Sequence, residues 1–235
     1  GKYTATEALL QTDVQSTGSA NVNATVNSGT FNGTVSAATD NTIAVKGGKF
    51  TSAVPENCCA EGFVPTQNTD GTFGVKVDTS VAEVNGKKYE SLTDAIAAAN
   101  TGDTIKLLAD LTETDAKDAA IVYDLTGKTL DLGGFTYSHN NFAHVFEGTG
   151  GTIRNGKMVC LDGASYALFI GDEGNTTSFT VDGVELTGGI NIYNASGVVL
   201  KNLTVNGSNY YAVWLDEHAA ATIESGTYNA GSLVV

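Results

Sequence analysis

The sequence predicts an all-β fold, a right-handed parallel β-helix in which short strands wind around a common axis as stacked coils. One observation is a recurring phrase, since residues 24–31 read ATVNSGTF and residues 221–228 read ATIESGTY. Another is the spacing of 19 to 23 residues between the apolar anchors of related phrases, which are Val26 and Val45 in one series and Val181, Leu200 and Ile223 in another. A period of that size is typical of solenoids built from stacked units.

The composition indicates a folded chain and argues against nucleic acids and membranes as partners. Only 16% of the residues are charged, against about 25% in an average domain, but 41% are hydrophobic and lie in short β-type runs that can be buried. The net charge is −14, with 26 acidic and 12 basic residues. So acidic a chain repels phosphate backbones and anionic headgroups, which argues against a nucleic-acid partner and an anionic membrane surface. We also expect no membrane insertion, because no apolar stretch is long enough to span a bilayer.

The first part of the chain, residues 1–78, reads as strands followed by a short helix and a hairpin. Strands are expected up to about residue 52, with Val26, Phe31, Val45 and Phe50 pointing inward. Residues 55–62 read as one or two helical turns that begin at a proline and end at a glycine. A hairpin follows, with its turn at residues 70–71, which are Asp and Gly.

The second part, residues 82–235, begins with a hairpin and one helix. Asn85 and Gly86 form a two-residue hairpin signal. Ser91 is the expected cap of a helix near 91–100, which places Leu92, Ala95, Ile96 and Ala99 on one face. We expect this helix to cover the first coil, because an open solenoid end exposes both core and strand edges. Strands of three to five residues resume at Thr104.

Cysteine and histidine positions indicate no metal, and we expect no cofactor. Cys58, Cys59 and Cys160 give no disulfide framework and no zinc spacing, so three free, partly buried thiols are expected. The three histidines, at 139, 144 and 218, likewise lack metal-ligand spacing. No apolar stretch approaches the roughly 18 residues of a membrane span. Both termini read as cut from a longer protein.

Two sets of segments carry a resemblance to a known family: residues 82–99 with 102–108, and the segments 28–31, 47–50, 58–63 and 70–75. The first set resembles the opening, and the second the closing section, of pectin-lyase-like right-handed β-helix modules, which occur in secreted or wall-attached surface proteins of gut bacteria. The closing section precedes the opening one, which implies modules in tandem. The resemblance also implies an extracellular or cell-wall location.

Three charged residues are the catalytic candidates: Arg154, Asp182 and Lys201, each one position past an apolar anchor. Lyases of the resembling family hold Ca²⁺ with clustered carboxylates and use Arg or Lys as the base, whereas its hydrolases use paired or tripled aspartates. No dense Asp cluster accompanies these three. The simpler interpretation is that they occupy outward positions of alternating strands, where charge is expected.

A ligand-binding surface is predicted where aromatic and acidic residues fall in consecutive coils. Exposed rings stack on sugar faces, and carboxylates accept hydrogen bonds from hydroxyl groups. The alternative is that Trp214 and half of the tyrosines pack inward. The candidate residues are Tyr193, Tyr210, Tyr211, Trp214, Asp216, Glu217 and His218.

The expected function is that of a non-catalytic extracellular module in a repetitive bacterial surface protein. It would serve as a stalk or adhesin-like surface whose partners are glycans or host and bacterial surface components, with self-association through exposed solenoid ends. Residues 1–52 carry the same phrase as the last coil, so they are expected to stack there, in the same chain or a neighbour. The alternatives are a lyase or glycoside hydrolase acting on acidic polysaccharide, and a purely structural spacer.

Overall fold

The chain folds almost entirely into β-structure arranged as a solenoid. The computed structural model describes residues 2–12, 22–38, 41–114, 121–140, 144–161, 166–171, 176–207 and 211–234. Strands make up 58% of the structure and helix 5%, and parallel coils stack into a β-solenoid of about eight turns. The predicted fold class is therefore confirmed. The chain divides into two compact units, Gly1–Thr79 and Ser80–Val235, which are called unit 1 and unit 2 below.

Unit 1 contains stacked parallel strands closed by an antiparallel hairpin. Val26 lies in register with Val45, and the rings of Phe31 and Phe50 stack with their centroids 4.8 Å apart. Glu56–Cys58 form a single 3-10 turn after Pro55, within the predicted one or two helical turns, and Cys59 then forms an extended bridge to Val45. The elements are β1 (Lys2–Thr12), β2 (Asn23–Val26), β3 (Thr30–Ala37), β4 (Thr42–Val45), β5 (Lys49–Phe50), the 3-10 turn Glu56–Cys58, β6 (Phe63–Gln67) and β7 (Phe73–Val77).

Unit 2 begins with the predicted hairpin, β8 (Ala82–Val84) and β9 (Lys87–Tyr89), and the predicted helix α1 (Leu92–Ala98). Asn85 and Gly86 both adopt the left-handed conformation that a two-residue hairpin turn requires. The Ser91 side chain accepts a hydrogen bond from the backbone N–H of Asp94 at 3.0 Å, so it caps the helix. The apolar helix face is buried against the start of the solenoid, as predicted.

Three parallel faces form the walls of unit 2. The first face contains β10 (Thr104–Leu107), β13 (Thr129–Asp131), β16 (Thr152–Cys160), β19 (Thr180–Thr187), β22 (Val198–Lys201) and β25 (Ala221–Ile223). The second face contains the C-terminal halves of β16 and β19 with β11 (Leu111–Glu113), β14 (Thr136–His139), β23 (Leu203–Asn206) and β26 (Gly226–Asn229). The third face contains β12 (Ile121–Asp124), β15 (His144–Glu147), β17 (Tyr166–Ile170), β20 (Gly189–Tyr193), β24 (Tyr211–Asp216) and β27 (Ser232–Val234). A short parallel pair, β18 (Thr176–Thr177) and β21 (Ala195–Ser196), lies between the third and first faces.

The core consists of inward rows in which each side chain packs on its equivalent in the next coil. Along the first face one such row runs through Ile105, Leu130, Ile153, Val181, Leu200 and Ile223. Its first five members are fully buried, but Ile223 in the last coil is 37% exposed. The anchors identified by their period in the sequence therefore do stack, and the row becomes accessible at its C-terminal end.

A cluster of polar side chains lies inside the first coils of unit 2. The hydroxyl groups of Tyr123 and Tyr137 both donate to Glu113 Oε2, at 2.6 and 2.8 Å. His139 and His144 are almost fully buried beside them, with ring centroids 5.4 Å apart. Both ring nitrogens of His144 lack a hydrogen-bond partner within the described structure. Burial lowers the pKa of His144, so the neutral ring is favoured there.

Asparagines hold the corner between the first and second faces. Asn155 and Asn202 adopt left-handed backbone conformations at this corner, with φ of 61° and 54°. Each side chain donates to an aspartate of the preceding coil, Asn155 to Asp131 Oδ1 at 3.1 Å and Asn202 to Asp182 Oδ1 at 2.8 Å. Asparagine suits this position because it tolerates a positive φ and can still bond to its neighbours. These bonds join successive coils.

Candidate functional site

Five aromatic side chains cover the outer side of the third face, and we call this group the aromatic patch. Its strands belong to three consecutive coils, β17, β20 and β24. Tyr193 and Trp214 directly follow the core residues Ile192 and Val213, so alternation places both on the outer side. Tyr166 and Tyr211 do not alternate with core residues in this way and are assigned to the same side by their ring contacts with Trp214. All five aromatic side chains are partly exposed. The patch consists of Tyr166, Phe169, Tyr193, Tyr211 and Trp214.

The rings of the aromatic patch contact one another. Trp214 meets Tyr211 edge to face with centroids 4.8 Å apart, and it meets Tyr166 in the same way at 6.3 Å. Phe169 and Tyr193 lie 6.4 Å apart in a tilted arrangement. Such contacts between rings fix their orientation. The result is an ordered apolar surface whose outer parts remain accessible to solvent.

Asn191 lies beneath these rings and carries an unsatisfied polar atom. It stands in register between Phe169 of the preceding coil and Trp214 of the next, and only 5% of its surface is exposed. Its side chain is hydrogen-bonded to Tyr166. Its Oδ1 atom has no hydrogen-bond partner among the residues that the structure describes. A buried acceptor without a donor is uncommon in folded proteins and calls for an explanation.

Electrostatics around the patch are set by burial and by carboxylates. Burial raises the pKa of the Tyr166 hydroxyl, the bond to Asn191 lowers it, and proximity to Tyr211 and Asp216 raises it further. The Tyr166 hydroxyl therefore stays protonated and available for hydrogen bonding at neutral pH. Asp216 stands in register with Tyr193 at the edge of the patch. Its Oδ1 accepts from the Glu217 backbone N–H at 2.9 Å, and the Glu217 side chain is exposed.

The structure brings together most of the residues predicted to bind a ligand. Tyr193, Tyr211, Trp214 and Asp216 lie on the outer side of the third face, while Glu217 and His218 form the exposed turn after β24. The alternative of inward packing is wrong for Trp214, because its in-register partner Asn191 and its ring contacts lie on the outer side. Tyr210 lies outside the described residues.

Sequence reasoning missed three members of this surface: Tyr166, Phe169 and Asn191. A register shift between Tyr166 and Leu168 breaks simple alternation in β17, so the spacing of its two aromatic residues does not indicate a common side. Asn191 alternates with isoleucines in β20, which does mark it as outward. Its burial, however, results from rings on other coils and leaves no local signal.

The catalytic candidates Arg154, Asp182 and Lys201 lie in register on the outer side of the first face, not beside the aromatic patch. They belong to a row of alternating charge, here called the charge ladder. Arg154 Nε is 3.0 Å from Asp131 Oδ2, and Lys201 Nζ is 3.4 Å from Asp182 Oδ2. Hydrogen bonding from Asn202 and the nearby cations lower the pKa of Asp182. Each candidate is thus engaged in a coil-to-coil ion pair or lies opposite one, an arrangement that supports a structural role.

A shallow polar groove of about 320 Å³ runs along the corner between the first and second faces. Its floor is formed by corner residues that include Asn155, Gly183 and Asn202. Lys157 and Glu185 cross it as an ion pair at 3.0 Å. The groove is open to solvent and its two charged residues satisfy each other, so it offers a ligand less than the aromatic patch does.

Metal and membrane features can be assessed for the described residues only. In those ranges, no three His, Cys, Asp or Glu side chains come together in a way that would bind a metal ion. Cys58, Cys59 and Cys160 form no disulfide, and Cys58 and Cys160 are buried. Within the same ranges, no helix has both the length and the apolar character needed to span a bilayer.

Comparison with protein-family models, with curated proteins and with solved structures finds no match to this chain. What the protein does must therefore be argued from the geometry of its own surfaces.

Proposed function

We propose that this protein is a non-catalytic, glycan-binding β-helix module of an extracellular or wall-attached surface protein. The observation that carries the proposal is the aromatic patch, in which ordered rings from three consecutive coils are presented on one side of a rigid sheet. Sugar rings have apolar faces that stack on aromatic side chains, and sites on regular elements hold such rings with little loss of entropy on binding. The resemblance to pectin-lyase-like modules of gut bacteria agrees with this proposal.

The spacing of successive strands supports binding to a polysaccharide chain rather than to a single sugar. Successive strands are about 4.8 Å apart, so Phe169, Asn191 and Trp214 span roughly 10 Å along the axis. That length matches about two sugar units of an extended polysaccharide. Extended concave or flat surfaces built by repetition are the usual binding surfaces of solenoid proteins.

Two alternatives have less support. A polysaccharide lyase or hydrolase needs a free base and a carboxylate set, whereas Arg154, Asp182 and Lys201 are arranged in coil-to-coil ion pairs. A purely structural spacer needs no surface aromatic residues, and it leaves the patch and the unsatisfied Asn191 oxygen without a role. A lyase would release an unsaturated product from pectin that absorbs ultraviolet light, and we expect no increase in ultraviolet absorbance.

A glycan array followed by calorimetric titration tests the proposal. Trp214→Ala removes the central ring and is expected to weaken binding at least fivefold, which corresponds to about 1 kcal/mol. Phe63→Ala is the matched control, because Phe63 is a partly exposed aromatic residue of unit 1 and lies outside the patch. Thermal melts of both variants show whether they remain folded. If no glycan binds the parent protein, the spacer is the better description.

A further inference from the structure

We propose that the aromatic patch selects uncharged glycans, and that Asn191 Oδ1 reads one sugar hydroxyl by accepting its hydrogen bond. This inference rests on the proposed function and adds the class of ligand. It contrasts with the acidic polysaccharides expected for a lyase of the resembling family. The unsatisfied acceptor beneath the rings supports the hydroxyl contact, and the distribution of charge on the third face supports the preference for uncharged glycans.

The first observation is the buried amide of Asn191. Its position is fixed by the bond to Tyr166 and by the in-register neighbours Phe169 and Trp214. Its free atom is an acceptor that is buried in this structure, so the rings above it must move aside before a ligand donor can reach it. A sugar hydroxyl is such a donor, and because uronates carry hydroxyls as well, this atom adds affinity for a sugar without itself distinguishing neutral from acidic polymers. Sites that hydrogen-bond a ligand hydroxyl discriminate strongly against analogues that lack it.

The second observation is that the described strands of the third face carry no Lys or Arg that could bind an acidic glycan. Its six strands, β12, β15, β17, β20, β24 and β27, contain no Lys or Arg. Asp216 lies at the edge of the patch, and the exposed Glu217 follows it in the chain. The whole protein carries a net charge of −14. A uronate polymer would therefore meet repulsion at the patch, whereas a neutral polysaccharide would not.

The probes are neutral polysaccharides, xyloglucan and galactomannan, compared with polygalacturonate as the acidic polymer. We expect at least tenfold tighter binding of a neutral probe. Raising the salt concentration screens exposed charges. It should therefore increase the affinity for polygalacturonate, leave the affinity for the neutral probe unchanged and so reduce the difference between the two. This measurement needs no variant.

Two variants separate the two observations. Asn191→Leu removes the acceptor and is expected to weaken binding of the neutral probe at least fivefold, with Asn57→Leu in the exposed 3-10 turn of unit 1 as the control. Replacing Asp216 by Asn together with Glu217 by Gln should raise the ratio of polygalacturonate to neutral binding. Its control is Glu83→Gln with Glu224→Gln, which removes the same charge from the sheet of the first face.

The outcomes distinguish this inference from the proposed function. Tighter binding of polygalacturonate than of both neutral probes, or a folded Asn191→Leu protein that binds as well as the parent, overturns the inference and leaves glycan binding intact. Absence of binding to any glycan overturns the proposed function as well. Neutral binding that depends on Trp214 and Asn191 supports both.

Discussion

Asn202 reaches back one coil and donates from Nδ2 to Oδ1 of Asp182 over 2.8 Å. The same residue has a positive φ and donates its backbone N–H to Ser225 Oγ of the following coil at 2.8 Å. One residue thus connects three consecutive coils at the corner between the first and second faces. The corner is held by specific polar bonds in addition to the stacking of apolar rows.

Replacing Asn202 should separate the two roles of this residue. Asn202→Ala loses the side-chain bond and places an alanine in the left-handed region, so we expect the free energy of unfolding to fall by about 1–3 kcal/mol. Asn202→Gly loses the same bond but tolerates the positive φ, so its cost should be smaller. Chemical denaturation measures both. Equal stability of the two variants would show that backbone strain contributes nothing at this corner.

The protein should lose stability at acidic pH because the buried, neutral ring of His144 becomes protonated. Burial lowers its pKa in the folded protein, Glu113 Oε2 lies 3.7 Å from its Nε2, and His139 lies beside it. The unfolded state, with a His pKa of about 6.5, therefore binds the proton more readily. The stabilisation that neutral His144 gives the folded state is fully present above about pH 6.5. It is lost as the pH falls from there through the pKa of His144 in the folded protein.

His144→Phe keeps an aromatic ring against Tyr123 and removes the titrating group. We expect its melting temperature to fall less than that of the parent between pH 7 and pH 5. His218→Ala serves as the control, because His218 is exposed and its loss should leave the pH profile of the parent unchanged. A His144→Phe profile with the same slope as the parent would contradict this account.

Because the inward row is exposed at its C-terminal end, similar substitutions along it should lower the free energy of unfolding by unequal amounts. Leu200 is fully buried and in register with Ile223, which is 37% exposed. Leu200→Ala should therefore cost about 2–5 kcal/mol, since it leaves a cavity between two coils. Ile223→Ala should cost roughly 1 kcal/mol or less, because less apolar surface is lost from the core. Equal costs in denaturant titrations would mean that Ile223 is covered in solution.

Local signals explain why the start of unit 2 could be predicted from the sequence. The turn at Asn85 and Gly86 and the cap at Ser91 depend on residues within a few positions of one another. The inward row could be predicted because its apolar residues recur with the period of the coil. The bridge between Cys59 and Val45 could not be predicted, because it joins segments that local patterns cannot relate.

The candidate site could be predicted only in part, for a related reason. Trp214 and Tyr193 are recognisable as residues of consecutive coils. Tyr166 lies on the outer side of the third face because of a register shift that the sequence does not reveal. Asn191 is buried because rings from neighbouring strands cover it. His144 shows the same limit, since a histidine in a strand gives no sign that it belongs to the interior.

The charge ladder has a consequence for how such a chain can change in length. Along the first face Lys106, Asp131, Arg154, Asp182 and Lys201 stand opposite one another in that order, so the sign alternates at every step. Excision of the single turn that carries Asp182 would bring two cations together. Excision of two adjacent turns would restore the alternation. Insertions and deletions in a wall of this kind are therefore tolerated best in even numbers.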